Sequence, residues 1–219
     1  MIESSEDRID TAREQILRAA ASQFASQPYH LVSLDDILAQ AAVTKGAMYF
    51  HFRSKHALAV AVIDLHVASS RTAIGELLAN KLSGMETLID VSYLLVVRDL
   101  TDTVARASLY LLEALGRTNN LHTRIDEWID GFAVWARQAV DDGDLLTTLD
   151  PHDVARLLIA VNSGLHQVID LDDTEGYLHA FEKAWLQLLP GMVEPDRIAY
   201  FGSFIRRRTQ LAIRKTRHP

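Results

Sequence analysis

The 219-residue sequence contains no cysteine, which excludes disulfides and thiolate metal sites and fits a reducing cytosol. Proline is scarce, and neither an internal repeat nor a low-complexity linker interrupts the chain. No apolar run approaches the length of a membrane span; the longest extends from Ala57 to Ile63. The N-terminus, Met1 to Asp7, is acidic and lacks the apolar stretch of a signal peptide, so a cytoplasmic protein is expected. Missing too are a Gly-rich phosphate loop, a Gly-x-Ser-x-Gly elbow and a His-Glu-x-x-His helix. No catalytic residue, resident metal or cofactor is therefore expected. Positive charge is in the minority, with 22 Lys and Arg against 29 Asp and Glu, a net charge of −7.

What is present is helical periodicity, with almost no strand pattern. The spacing predicts a first helix starting near Arg8 to Thr11, burying Ile16, Ala20 and Phe24 and ending at Gln27-Pro28-Tyr29. A long helix is expected from Ser54 to Leu78, a length suited to a strut between two parts of the chain. Further helices are expected over 85–97, 103–115 and 123–140, the last with Ile125, Trp128, Ile129, Phe132 and Trp135 on one face. Asp150-Pro151 opens a helix through Val168, with Pro at the favoured first position. Asp173-Thr174 opens one that Pro190-Gly191 should stop, and Pro195 opens a final helix with a basic end. The expected fold is all-α.

The densest information lies between Ser33 and Lys55. Ser33 and Asp36 have capping-box spacing at the start of a short helix, and only Ala42 and Val43 separate its end from the next cap, Thr44. Two helices joined by so short a turn form the helix-turn-helix pattern, whose second helix enters the major groove of DNA. At about 100° per residue, Met48 and Phe52 fall on one side of that second helix as core anchors. Lys45, Gly46, Tyr49 and Phe50 sweep the opposite arc, where a solvated helix would carry charge. Gly46 costs about 1 kcal/mol relative to Ala inside a helix, and close approach of a DNA backbone would offset it. Lys45 can bond a guanine edge or a phosphate, Tyr49 a phosphate, and Phe50 a thymine methyl. The helix start behind Thr44 offers free N–H groups to a phosphate, and Lys55 sits at a second such end behind Ser54. The bland alternative is an amphipathic helix sandwiched inside a helical core.

Thr44-Lys45-Gly46-Ala47-Met48-Tyr49-Phe50-His51-Phe52, followed by Ser54-Lys55, closely resembles the signature of TetR-family transcriptional regulators. The Tyr-Phe-His-Phe variant is similar to the branch containing the γ-butyrolactone receptors of actinomycetes. Leu165-His166-Gln167, after Asn162-Ser163-Gly164, resembles a Gly-Val-Gln stretch of that branch, and Trp185 to Gly191 resembles its Trp-x-x-Leu-Leu-Pro-Gly segment. The resemblance spans residues 11–201. It implies a helix-turn-helix DNA-binding domain over residues 1–53 and a ligand-binding and dimerisation domain over 54–219. The implied partners are a double-stranded DNA operator, a small-molecule effector and a second copy of the chain. The DNA-facing set is then Ser33, Thr44, Lys45, Gly46, Tyr49, Phe50, His51 and Lys55, with His51 placed toward the backbone. A symmetric dimer reads a pseudo-palindrome.

The negative net charge does not oppose this reading, because phosphate attraction acts within a Debye length of about 8 Å. Residues 44–55 carry Lys45, Arg53 and Lys55 and no acid, whereas acids concentrate at Asp141-Asp142-Gly143-Asp144 and from Asp170 to Glu175. His122 and Asp126, and likewise His166 and Asp170, have the helical spacing of paired metal ligands, but a third ligand is not evident and no metal site is expected. Periodicity makes Trp128 a core residue, while the resemblance makes it, with Phe132, a lining residue of an effector pocket. The branch has a proline-rich loop before this Trp; residues 116–123 lack one, which leaves the ligand's identity open between a γ-butyrolactone and the broad apolar ligands of multidrug-type regulators. A helical enzyme is the rival from another class; it would need acids and bases converging on a cavity, and the sequence places none there.

Overall fold

The computed structural model describes residues 5–79, 81–115 and 119–217, with side chains for 11–79, 81–115 and 125–217. Among these residues the chain forms α1 (Ser5–Ser26), α2 (Leu34–Ala41), α3 (Lys45–His51), α4 (Lys55–Leu78), α5 (Gly84–Thr101), α6 (Thr103–Leu115), α7 (Asn119–Asp141), α8 (Pro151–Val168), α9 (Thr174–Met192) and α10 (Ile198–Arg217). Their one β-type pairing is an isolated antiparallel bridge between Leu145 and Val193. The fold is all-α, as expected. The chain divides into two compact units, Met1–Arg71 with Asp102–Arg117, and Thr72–Thr101 with Thr118–Pro219.

In the first unit, α1 buries Ile16, Ala20 and Phe24, the face that periodicity picks out. It begins at Ser5, earlier than expected, since neither Pro nor Gly interrupts residues 5–10. Before Pro28 it closes with a bond from the Gln27 N–H to the Gln23 carbonyl at 3.2 Å, and the Phe24 ring stacks on Tyr29 at 5.7 Å. Both α2 and α6 pack against α1, α6 burying Ala105, Ala107, Ser108 and Leu111. α4 needs a correction to the reading of apolar runs. An 18-residue stretch within it is long and apolar enough to cross a membrane by length and composition alone, with 39% of that stretch buried. Counting uninterrupted residues stops at Asp64, whereas the longer stretch absorbs Asp64 among its Ala, Val, Ile and Leu neighbours.

In the second unit, α5 packs against α7 and α10, α7 against α8, and α9 against α8 and α10. The start of α5 meets the end of α7 so closely that a Cβ on Gly84 would lie 2.2 Å from the Ala139 nitrogen, an approach only glycine permits. The Gly84 N–H donates to Asp142 Oδ2 at 2.8 Å. Asp144 is buried beside it, accepting from Ser83 Oγ at 2.9 Å and from Arg197 Nε at 2.8 Å. One carboxylate thus joins the start of α5, the turn after α7 and the approach to α10. On the α5–α10 face, both Asp90 oxygens accept from the Arg208 guanidinium, and Tyr93 Oη and Thr209 Oγ1 lie 2.7 Å apart.

α9 corrects a second expectation: it runs through Pro190 and Gly191 to Met192. Pro190 costs the last turn a hydrogen bond. That turn is held from outside the helix, by the Leu145–Val193 bridge and a Leu146 N–H to Met192 carbonyl bond of 2.9 Å. The final helix begins at Ile198, after a turn over 195–197.

Candidate nucleic-acid interface and effector region

The short helices of the first unit are set by their caps. Ser33 Oγ accepts the Asp36 N–H at 3.1 Å and donates to Asp36 Oδ2 at 2.6 Å. The carboxylate therefore accepts the hydrogen bond of the cap's hydroxyl, which leaves Ser33 without a free donor for a phosphate. α2 buries Ile37 and Ala41 and ends at Ala42, whose φ of 54° is left-handed, a conformation a β-carbon disfavours. Thr44 then caps α3, its Oγ1 accepting the Ala47 N–H at 3.2 Å and its carbonyl the Met48 N–H at 3.1 Å.

The two arcs of α3 separate as the angular reading requires. Met48 and Phe52 are 1% and 6% exposed, while Tyr49 and Phe50 are 46% and 74% exposed. An apolar ring so open to water, on a helix whose core face is already filled, has no role in holding the unit together. Gly46 is exposed as well, and a Cβ there would meet only Thr44 Oγ1 at 3.9 Å, an ordinary contact. Packing within the chain therefore does not require glycine at this position. His51 is half-buried, edge-on to Phe50 at 5.1 Å. Lys45 Nζ lies 3.8 Å from Asp35 Oδ1, both side chains exposed. A pair this open contributes at most about 1 kcal/mol and exchanges readily for another anion.

Lys55 differs from its neighbours. Its ammonium donates to the Tyr29 carbonyl at 2.9 Å and the Val32 carbonyl at 2.8 Å and lies 4.5 Å from the centre of the Tyr29 ring. Its first role is to tie the start of α4 to the segment before α2. Ser54 caps α4 through the Ala57 N–H at 3.0 Å. Arg53 is exposed between the two helices.

In the second unit, α7 carries Trp128 half-buried and Phe132 buried, with Trp135 edge-on to Phe132 at 5.4 Å. Ile125, expected on the same buried face, is 40% exposed. The His166–Asp170 pairing does not form. α8 ends at Val168 and Ile169 is extended, so Asp170 leaves the helix and accepts the Asp172 N–H at 2.9 Å. His166 instead has Nε2 3.5 Å from Asp99 Oδ2 and its ring stacked on Tyr177 at 5.4 Å. Burial pushes the His166 imidazole down to about 4, and burial, then the charge of Asp99, pushes the Tyr177 phenol up. This cluster has no local signal along the chain, because its members come from α5, α8 and α9. No group of three His, Asp or Glu able to hold a metal occurs among the described residues, and the His122 side chain lies outside them.

Residues 16–62, which contain α2, its turn and α3, match the family described as bacterial regulatory proteins, tetR family. The chain carries the tetR-family segment over those residues. Over 186 residues it is 30% identical to the A-factor receptor protein of Streptomyces griseus, covering 84% of this chain and 65% of that protein. The chain thus spans just under two-thirds of that relative's length. A crystal structure of a γ-butyrolactone receptor (ArpA-like protein) superposes with a TM-score of 0.80 at 28% identity, covering 93% of this chain and 98% of the other. CprB from Streptomyces coelicolor, in complex with its biological operator sequence, gives a TM-score of 0.78 at 28% identity, with the same coverage. Over most of its length the chain is similar to γ-butyrolactone receptors.

Proposed function

We propose that this protein is a TetR-family, ligand-responsive transcriptional repressor that binds a pseudo-palindromic operator as a homodimer in the cytoplasm. The observation that carries the reading is the outward arc of α3. Tyr49, Phe50 and Gly46 are exposed, Lys45 is held only by an open ion pair, and no acid lies between Thr44 and Lys55. Residues 1–53 act as the reading head, with Thr44, Lys45, Gly46, Tyr49, Phe50 and His51 toward DNA. Ser33 and Lys55 support that surface from behind by fixing α2 and α4. Residues 54–219 bind the effector and dimerise. The operator complex of the similar CprB supports the nucleic-acid partner, and the similarity to γ-butyrolactone receptors supports a γ-butyrolactone or related furan or butenolide as effector.

Release follows from population shift: a ligand that favours a head spacing unable to reach adjacent grooves weakens DNA binding by its differential affinity for the two states. Trp128 and Phe132 line the effector site in this reading. The test is a DNA-release titration with a panel of lactones, on wild type and Trp128→Ala, beside a melting curve. The variant keeps operator binding and loses release, because operator and effector sites are coupled but separate. Normal release with a stability loss of about 3–5 kcal/mol would instead make Trp128 a core residue.

A further inference from the structure

Tyr177 Oη, His166 Nε2 and Asn162 Oδ1 are all buried and none has a hydrogen-bond partner. Interiors rarely leave polar atoms unpaired, and three in one region call for a physical reason. They do not lie at random. Asn162 and His166 are one turn apart on α8, the His166 ring lies flat on Tyr177 of α9, and Asp99 at the end of α5 stands 3.5 Å from His166 Nε2. Tyr177 is fully buried, and the His166 and Asp99 side chains are 9% and 5% exposed. Phe181 and Trp185 follow Tyr177 turn by turn on the same face of α9, with Phe181 against Tyr93 at 5.0 Å and Trp185 edge-on beyond.

We infer that Asn162, His166 and Tyr177, with Asp99 beside them, form a hydrogen-bonding anchor for an uncharged small molecule that carries both a donor and an acceptor, such as a hydroxylated lactone. The inference rests on the reading of the second unit as effector-binding and specifies which chemistry that unit selects. The Tyr177 hydroxyl donates to a carbonyl or ring oxygen, and the Asn162 amide oxygen accepts from a hydroxyl. Burial keeps His166 neutral at physiological pH, so the anchor offers no cation to a carboxylate. The acid of Asp99 adds repulsion against an anion. A furan carboxylate is therefore excluded, while a neutral hydroxy-lactone fits.

The experiment is calorimetric titration of the full-length protein with three probes: an alkyl γ-butyrolactone bearing one hydroxyl, its deoxy counterpart, and an alkyl furan carboxylate. Each is run on wild type, Tyr177→Phe and Asn162→Leu. Wild type should bind the hydroxylated lactone about tenfold more tightly than the deoxy compound, the usual worth of one buried neutral hydrogen bond. Tyr177→Phe, which deletes only an unpaired hydroxyl and keeps the stack on His166, should fold normally and bind both lactones more weakly. Asn162→Leu should erase the preference for the hydroxyl. Variants that bind like wild type overturn the anchor while leaving the effector reading intact. Tighter binding of the furan carboxylate than of either lactone overturns the neutral-ligand assignment. A wild type that binds none of the three overturns the effector reading and the anchor with it.

Discussion

Replacing Asp144 by alanine lowers stability by about 3–5 kcal/mol, the range for removing one partner of a buried charge pair. The carboxylate is 3% exposed and takes Ser83 Oγ and Arg197 Nε together, so its loss strips acceptors from two donors at once. The Arg197 side chain, 38% exposed, can turn partly to water, which keeps the loss toward the lower end of the range. Ser83 and Arg197 also stand immediately before α5 and α10, so the starts of both helices loosen. In a chain of this size the melting temperature should fall by roughly 10 °C. Asp144→Asn keeps an acceptor for one donor and should lose less. Thermal unfolding of the three proteins is the check; equal melting temperatures would show that the junction is held by packing at Gly84 instead.

The second large effect is a pH dependence of stability. The folded His166 titrates at about 4, below its ordinary 6.5, because burial penalises the imidazolium. Between those values the unfolded chain binds a proton that the folded one does not. His166 therefore leaves stability undiminished above pH 6.5 and lowers it progressively as pH falls toward 4. At about 1.4 kcal/mol per pKa unit, the loss amounts to about 3 kcal/mol. Asp99 at 3.5 Å works the other way, but without a hydrogen bond to the ring it is outweighed by desolvation. Denaturant unfolding from pH 7 to pH 4 of wild type and His166→Phe isolates the effect, since all other titrations are common to both. The difference curve should be flat above pH 6.5 and slope below it. A difference curve flat throughout would mean that His166 is solvated.

The helix-turn-helix was legible because its determinants are local. Ser33, Thr44 and Ser54 each cap within three residues, and Met48 with Phe52 fixes the inward side of α3. The exposed arc of Tyr49 and Phe50 follows from the same geometry. What escaped the sequence depends on contacts distant along the chain. The carbonyls of Tyr29 and Val32 claim Lys55 across the fold of the first unit, so a residue with a phosphate-facing address performs an internal task. Spacing paired His166 with Asp170, but α8 ends between them, and Asp99 from α5 stands there instead. Pro190 failed as a stop signal because pairing with residues 145 and 146 holds the turn that its missing N–H weakens. Those are tertiary effects with no local trace.

The outward arc of α3 as a DNA-reading surface is the central claim, and it stands or falls on one measurement. A duplex selected from random DNA by the wild-type protein is titrated with wild type, Lys45→Ala and Tyr49→Ala across a range of salt, with helix content and dimer mass recorded for each. Lys45→Ala should weaken binding by about 1–3 kcal/mol if it reads a base, or lower the salt slope by about 0.9 if it neutralises a phosphate. Tyr49→Ala should also weaken binding, and both variants should keep wild-type helix content and dimer mass. Affinities unchanged in both variants, a wild-type response flat in salt, or a Tyr49→Ala protein that unfolds would contradict the account and return α3 to the interior of a helical core.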